Sequence, residues 1–202
     1  MPLAQSQCLK HAAVSVLTGA AMLFGVALPT SANPFKHEFG ELRQYHQHWL
    51  SVCPLEHIPS PEQNYNSTCW ASTWTGNENG SVAGHFPGDR LSVIRNRSTG
   101  QLTITFVDLL TYDATPKGPL KLRFSNGAVR EFQWGSDIVN HGNVANEFTF
   151  ASTEVTDDIL ARLKATSHVI FSWQTPSGKR SLFFSAMGLT DAFEFTKSYA
   201  QP

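Results

Sequence analysis

The stretch LKLRFSNGAVREFQW, residues 120–134, sets the reading of the whole chain. Leu120, Leu122 and Phe124 alternate with Lys121 and Arg123, and after Asn126-Gly127 the run from Val129 to Trp134 returns. Asn-Gly suits a tight hairpin because both central residues of a two-residue turn take positive φ. A period of two with one apolar side describes an antiparallel sheet that buries one face and wets the other.

The same rhythm continues outward in both directions. Leu91-Ser92-Val93-Ile94 follows the turn at Pro87-Gly88-Asp89, and Ser98-Thr99-Gly100 links it to Leu102-Thr103-Ile104-Thr105-Phe106. Upstream, His48 to Val52 leads into Cys53, and Cys69 opens a strand with Trp70, Ser72 and Trp74 on one side. Downstream, Glu147 to Ser152 places Phe148 and Phe150 together, and Val169–Gln174 with Arg180–Ala186 brackets a turn at Thr175–Lys179. Helices interrupt this pattern. Thr156 to Lys164 has a threonine cap, acids first and bases last, an order that complements the helix dipole. Leu189, Ala192, Phe193, Thr196 and Tyr199 recur at helical spacing, as do Phe35, Phe39, Leu42 and Trp49 near residue 33, which predicts an opening helix as well. The fold expected is mainly β: an antiparallel β-sandwich with one or two short helices and a C-terminal helix packed on it.

Residues 1–32 stand apart from that domain. Lys10 precedes an apolar run from Ala12 to Leu28, Pro29 ends the run, and Thr30-Ser31-Ala32 supplies small residues for a peptidase. This is the layout of a secretory signal peptide cleaved after Ala32, and an N-terminal membrane anchor is the competing reading of the same run. The predicted organisation is therefore a leader, 1–32, and a single exported domain, 33–202. Any contact with a membrane would come through export or at the outer membrane. Across 202 residues the formal net charge is −1, without the basic face that nucleic-acid binding requires. Aromatics make up 11% of the chain, which excludes a charge-rich disordered protein.

Export changes the reading of the cysteines. Cys8 leaves with the leader, so Cys53 and Cys69 can pair only with each other in an oxidising compartment. The bridge would close a loop of about 15 residues and stabilise the fold by roughly 3 kcal/mol. Known catalytic motifs are missing. His37-Glu38-Phe39-Gly40-Glu41 has Glu41 where a zinc protease needs its second histidine, and no G-x-S-x-G or phosphate-cradling glycine loop occurs. No cofactor is implied. His46 and His48 would face the same way on a strand, as two metal ligands must, although no third ligand can be named. Trp49, Trp70, Trp74, Trp134 and Trp173 either fill the core beside the disulfide, which their packing weight favours, or, at Trp70 and Trp74, offer a platform for sugar rings. Asn66, Asn79 and Asn96 begin glycosylation sequons, and Asn140-His141-Gly142-Asn143 with Asn146 forms a polar loop that could meet a partner or simply be solvated.

Trp49-x-x-Val52-Cys53, then Cys69-x-Ala71, then Pro176-Ser177-Gly178, Ser181-Leu182-Phe183-Phe184-Ser185, Gly188-Leu189 and Ala192 follow one another behind the leader. This layout resembles the invasion-associated locus B family of small exported bacterial proteins. The resemblance implies a periplasmic β-sandwich with flanking helices in a Gram-negative bacterium, and an association with the cell envelope or with host-cell invasion. It carries no catalytic residues across. The function expected is a non-catalytic periplasmic or cell-surface protein that binds an envelope component or a protein partner. A carbohydrate-binding module using Trp70 and Trp74 is the alternative, and a hydrolase with dispersed residues a third.

Overall fold

A computed structural model of the chain describes residues 32–62, 64–76, 88–109, 116–140 and 146–200. Residues 1–31, which hold Cys8 and all of the expected leader but Ala32, lie outside the described residues, as do Asn79, His85, His141 and Asn143. Among the described residues, twelve strands form two sheets in which every strand pair is antiparallel. The larger sheet contains β1 (Phe35–His37), β2 (Glu41–His46), β3 (Trp49–Pro54), β4 (Thr68–Trp74), β5 (Arg90–Asn96), β6 (Leu102–Val107), β9 (Ile138–Asn140) and β10 (Glu147–Phe150). Its order is β1-β2-β3-β4-β5-β6-β10-β9. The smaller sheet, ordered β12-β11-β7-β8, contains β7 (Lys117–Phe124), β8 (Val129–Phe132), β11 (His168–Thr175) and β12 (Gly178–Ser185). Two helices, α1 (Thr153–Lys164) and α2 (Leu189–Tyr199), complete the sandwich.

The core lies where the two sheets and the helices meet. Leu91, Val93, Ile104 and Phe106 from the large sheet face Leu120, Leu122, Phe171 and Phe184 from the small one, and Ile159, Leu163, Leu189 and Ala192 close it from the helices. Phe106 sits at its centre. Its ring lies 5.2 Å from Phe171, 5.1 Å from Phe148 and 6.0 Å from Trp173. Beside this core, Cys53 and Cys69 are bonded across β3 and β4 with their Cα atoms 4.4 Å apart, and Leu42 and Phe195 pack around the bridge.

Helix α2 runs over the inner side of β2, β3 and β4, and that contact fixes what these strands carry there. Ser51 donates to the Ala192 carbonyl at 3.0 Å, and Ala71 and Thr73 are buried. Over Ser51 of β3 and Ala71 and Thr73 of β4 the approach is over small side chains, while at β2 Leu42 and His46 meet Phe195. Gly188, at φ +91°, starts α2, and a Cβ there would overlap the His46 carbonyl.

Four local expectations are corrected. Phe35, Phe39, Leu42 and Trp49 do not form a helix; they belong to the β1–β2 hairpin and to β3, because Gly40 at φ +74° turns the chain back and Phe35 pairs with Arg43. Three-to-four-residue spacing arises here from folding a hairpin. Helix α1 begins a turn earlier than Thr156: Ser152 caps it by accepting from the Val155 N–H at 3.1 Å, and Thr156 is buried inside the helix. At Asn126-Gly127 only Gly127 takes positive φ, +85°. The Phe124–Ala128 hairpin therefore closes on a three-residue loop, with Asn126 Oδ1 accepting from Ala128 N at 3.1 Å. Asn140, expected in a polar loop, ends the short strand β9, which pairs with β10.

Candidate functional site

Strand register lays out the outer face of the large sheet, the side turned away from the core. One row across the strands is Phe35, Arg43, Val52, Trp70, Ile94 and Thr103. The next is Tyr45, Leu50, Ser72, Ser92, Thr105 and Thr149. A third holds Trp74, Arg90, Val107 and Glu147. Alternation forces this layout: each β4 and β5 residue that points at the core sends its neighbours to the other side.

Trp70 and Trp74 therefore do not fill the core. Both are half-buried and lie outside the two core clusters, whereas Trp49 and Trp173 are buried and Trp134 packs against the core. Together with Arg43, Leu50, Val52, Ser72 and Arg90 they line a cavity of about 130 Å³. Four residue steps along the strand separate Trp70 from Trp74, roughly 14 Å at about 3.4 Å per residue. Tyr65 leans over Trp70 with ring centroids 5.6 Å apart. Its hydroxyl donates to Glu41 Oε1 at 2.5 Å, and loss of solvation together with that bond pushes its pKa up to about 12. Glu41 also takes an ion pair from Arg43 at 2.5 Å, so the Arg43 charge is neutralised within the face. On the neighbouring strands, Ile94, Thr103, Thr105, Glu147 and Thr149 line a wider groove of about 720 Å³, which reaches the N-terminal end of α1 at Ser152 and Thr153.

His46 and His48 do not share a strand face. They flank the β2–β3 turn, where Gln47 holds φ +53°. His46 is buried with its ring 5.7 Å from Phe195, and burial lowers its pKa. His48 Nδ1 lies 2.7 Å from Ser185 Oγ, and the neighbouring Trp49 Nε1 donates to the Ser185 carbonyl at 3.0 Å. The pair ties the turn to the entry of α2. Among the described residues no group of three or more His, Cys, Asp or Glu could hold a metal ion.

The sequons fare differently from one another. Asn96 is fully buried, with Nδ2 donating to the Ser60 carbonyl at 3.0 Å and Oδ1 accepting from Ser98 N and Thr99 N, so it is a loop clamp and is closed to glycosylation. Asn66 is partly exposed. Asn146 is buried and donates to the Asp108 carbonyl, which makes it part of the framework and not of a partner-facing loop.

Sequence reasoning missed one charge cluster entirely. Arg180 on β12 donates to Asp89 Oδ2 and to Asp108 Oδ1, both at 2.7 Å, joining the ends of β5 and β6 to the second sheet. Both acids are buried, and burial pushes the Asp89 carboxyl above its usual range, against the pull of the Leu109 N–H and of Arg180. These residues stand 19 and 72 positions apart in the chain, so only the assembled sandwich reveals them. Arg90, also unnoticed, was legible as the polar neighbour of Leu91 on an alternating strand. No helix among the described residues is long and apolar enough to cross a membrane. Comparison of the chain with known protein families, with curated proteins and with solved structures finds no match.

Proposed function

We propose that this protein is an exported, non-catalytic binding protein of the Gram-negative cell envelope, which takes its ligand on the outer face of the large sheet. The placement of Trp70 and Trp74 carries this reading. Two large aromatics turned away from a core that is already filled, and lining a cavity instead, are the usual material of a contact site. The Cys53–Cys69 bridge supports an oxidising compartment, and the leader-like residues 1–32 support export to the periplasm or cell surface. The side-by-side carboxylates Asp89 and Asp108 are engaged by Arg180 and line neither cavity, which favours binding over hydrolysis.

The ligand is an envelope component, and carbohydrate is the class that the paired tryptophans and the hydroxyl-lined groove favour over a protein partner. The resemblance to invasion-associated locus B proteins belongs to the same proposal. Of its residues, Trp49, Cys53, Cys69 and Ala71 are buried on the inner face and Val52 alone of this opening motif lines the small cavity, so the resemblance supports an address and a fold more than a ligand. The test is a titration of the purified protein, followed by tryptophan emission, with solubilised peptidoglycan, lipopolysaccharide core oligosaccharide and an envelope protein extract. The reading predicts a saturable change with a glycan that disappears in Trp70→Ala and Trp74→Ala. An unchanged spectrum throughout contradicts the glycan reading, and a change with the protein extract alone replaces it with a protein partner.

A further inference from the structure

The two cavities open on one continuous face, since Ile94, Thr103 and Thr105 in the wide groove sit beside Trp70, Ser72 and Ser92 in the strand register. From Leu50 to Thr149 the row crosses four strand spacings, roughly 19 Å at about 4.8 Å each. Two polar atoms on this face lack a partner among the described residues. Thr149 is 5% exposed, and its Oγ1 lies buried beside the wide groove with no hydrogen bond. Arg90 Nε is likewise buried and unbonded at the small cavity, and no carboxylate among the described residues forms an ion pair with Arg90. Ser72 and Ser92, between them, satisfy each other at 2.8 Å.

The two arginines of the small cavity are therefore unequal. Arg43 is matched by Glu41. Arg90 is flanked in register by Trp74 and Val107, and the acid beyond them, Glu147, is two strand spacings away, roughly 10 Å. An arginine Nε–H buried without an acceptor is unfavourable, and it is relieved by a planar anion that accepts from it and from a neighbouring Nη in parallel. One unmatched guanidinium calls for one negative charge. A carboxylate meets that count better than a phosphomonoester carrying nearly two charges, and its two coplanar oxygens match the guanidinium edge.

We infer that the face binds an acidic saccharide of the uronic-acid class: its carboxylate accepts from Arg90, the adjoining ring stacks on Trp74, and the chain runs across the strands until a sugar hydroxyl donates to or accepts from Thr149 Oγ1. This rests on the glycan reading above and adds the charge to it.

The experiment measures binding of the protein to hexamers of mannuronate and of galacturonate, each beside its carboxyl-reduced neutral form, at 150 mM salt. The expected result is that at least one acidic hexamer binds about tenfold or more tightly than its reduced counterpart, within the range of a charge-assisted bidentate contact. Arg90→Gln should bring the acidic hexamer down to the level of the neutral one, and Arg90→Lys should restore part of the preference. Thr149→Val should weaken both forms together. Thermal melts of each variant separate loss of binding from loss of fold. Equal binding of acidic and neutral hexamers, or a preference that survives Arg90→Gln, overturns the acidic ligand while leaving the glycan reading intact, provided that Trp74→Ala still weakens both. Failure of all four hexamers to bind overturns the inference outright, and the glycan reading then stands or falls on the envelope glycans of the preceding titration.

Discussion

On β4 the positions turned toward the core hold Cys69, Ala71 and Thr73, while those turned away hold Trp70, Ser72 and Trp74. One strand from it, β5 does the opposite over part of its length, with Leu91 and Val93 inside and Arg90 and Ser92 outside. The difference comes from what covers each strand. Helix α2 presses on the inner side of β4 and leaves room only for small side chains, whereas β5 opposite the second sheet accepts branched aliphatics. Bulk that a single strand would ordinarily send inward is displaced to the outer face, where it lines a cavity.

That contrast makes measurable demands, beginning with the inner face. Phe106→Ala removes the ring at the centre of the aromatic cluster and should destabilise the protein by about 3–5 kcal/mol in chemical denaturation. A loss of under about 1 kcal/mol would place the core elsewhere. Replacing Cys53 and Cys69 together by serine should lower stability by roughly 3 kcal/mol and leave the circular dichroism spectrum of the β-sandwich unchanged. Arg180→Ala leaves Asp89 and Asp108 facing each other without their cation. The expected loss is about 2 kcal/mol, discounted for the partial exposure of the guanidinium. The sign with pH follows: protonating an Asp89 that burial already biases toward its neutral form relieves the repulsion, so this variant should regain stability from pH 7 toward pH 4.5, and a further loss there would contradict the account.

The outer face should behave differently. Trp70→Ala and Trp74→Ala should each change stability by about 1 kcal/mol or less while abolishing the ligand-induced emission change, a split that core residues cannot give. The smallest effect concerns His46. Burial lowers its pKa below 6.5, so in the window beneath 6.5 the unfolded chain binds the proton more readily, and stability should fall as pH drops from 7 to 5. His46→Gln should flatten that part of the profile, read as the urea midpoint against pH.

Strand identity was legible wherever period-two alternation ran for five residues or more, as at Leu120–Phe124 and Leu102–Phe106. The disulfide was legible because, with Cys8 set aside in the expected leader, the two remaining cysteines allow one pairing. The opening hairpin was not, since its aromatics fall at three-to-four-residue intervals and only Gly40 marks the turn. For the site, the sequence placed Trp70 and Trp74 on one face but favoured that face as the buried one, which the structure reverses. Which face is buried depends on α2, more than a hundred residues downstream. Arg90 and Thr149 belong to strands that touch only through β6, so their place on one face, in two neighbouring cavities, exists only after the sheet is assembled. Asp89, Asp108 and Arg180 come from two sheets and carry no local pattern.

Acrylamide quenching of tryptophan emission, in the wild-type protein and in Trp70→Phe/Trp74→Phe, tests the orientation of β4 most directly. With both tryptophans on the outer face, the double variant should lose most of the quenchable emission, retain a protected signal from Trp49 and Trp173, and unfold at nearly the wild-type denaturant concentration. An undiminished quenchable fraction, or a collapse in stability of about 3 kcal/mol or more, would put those rings in the core and contradict the account.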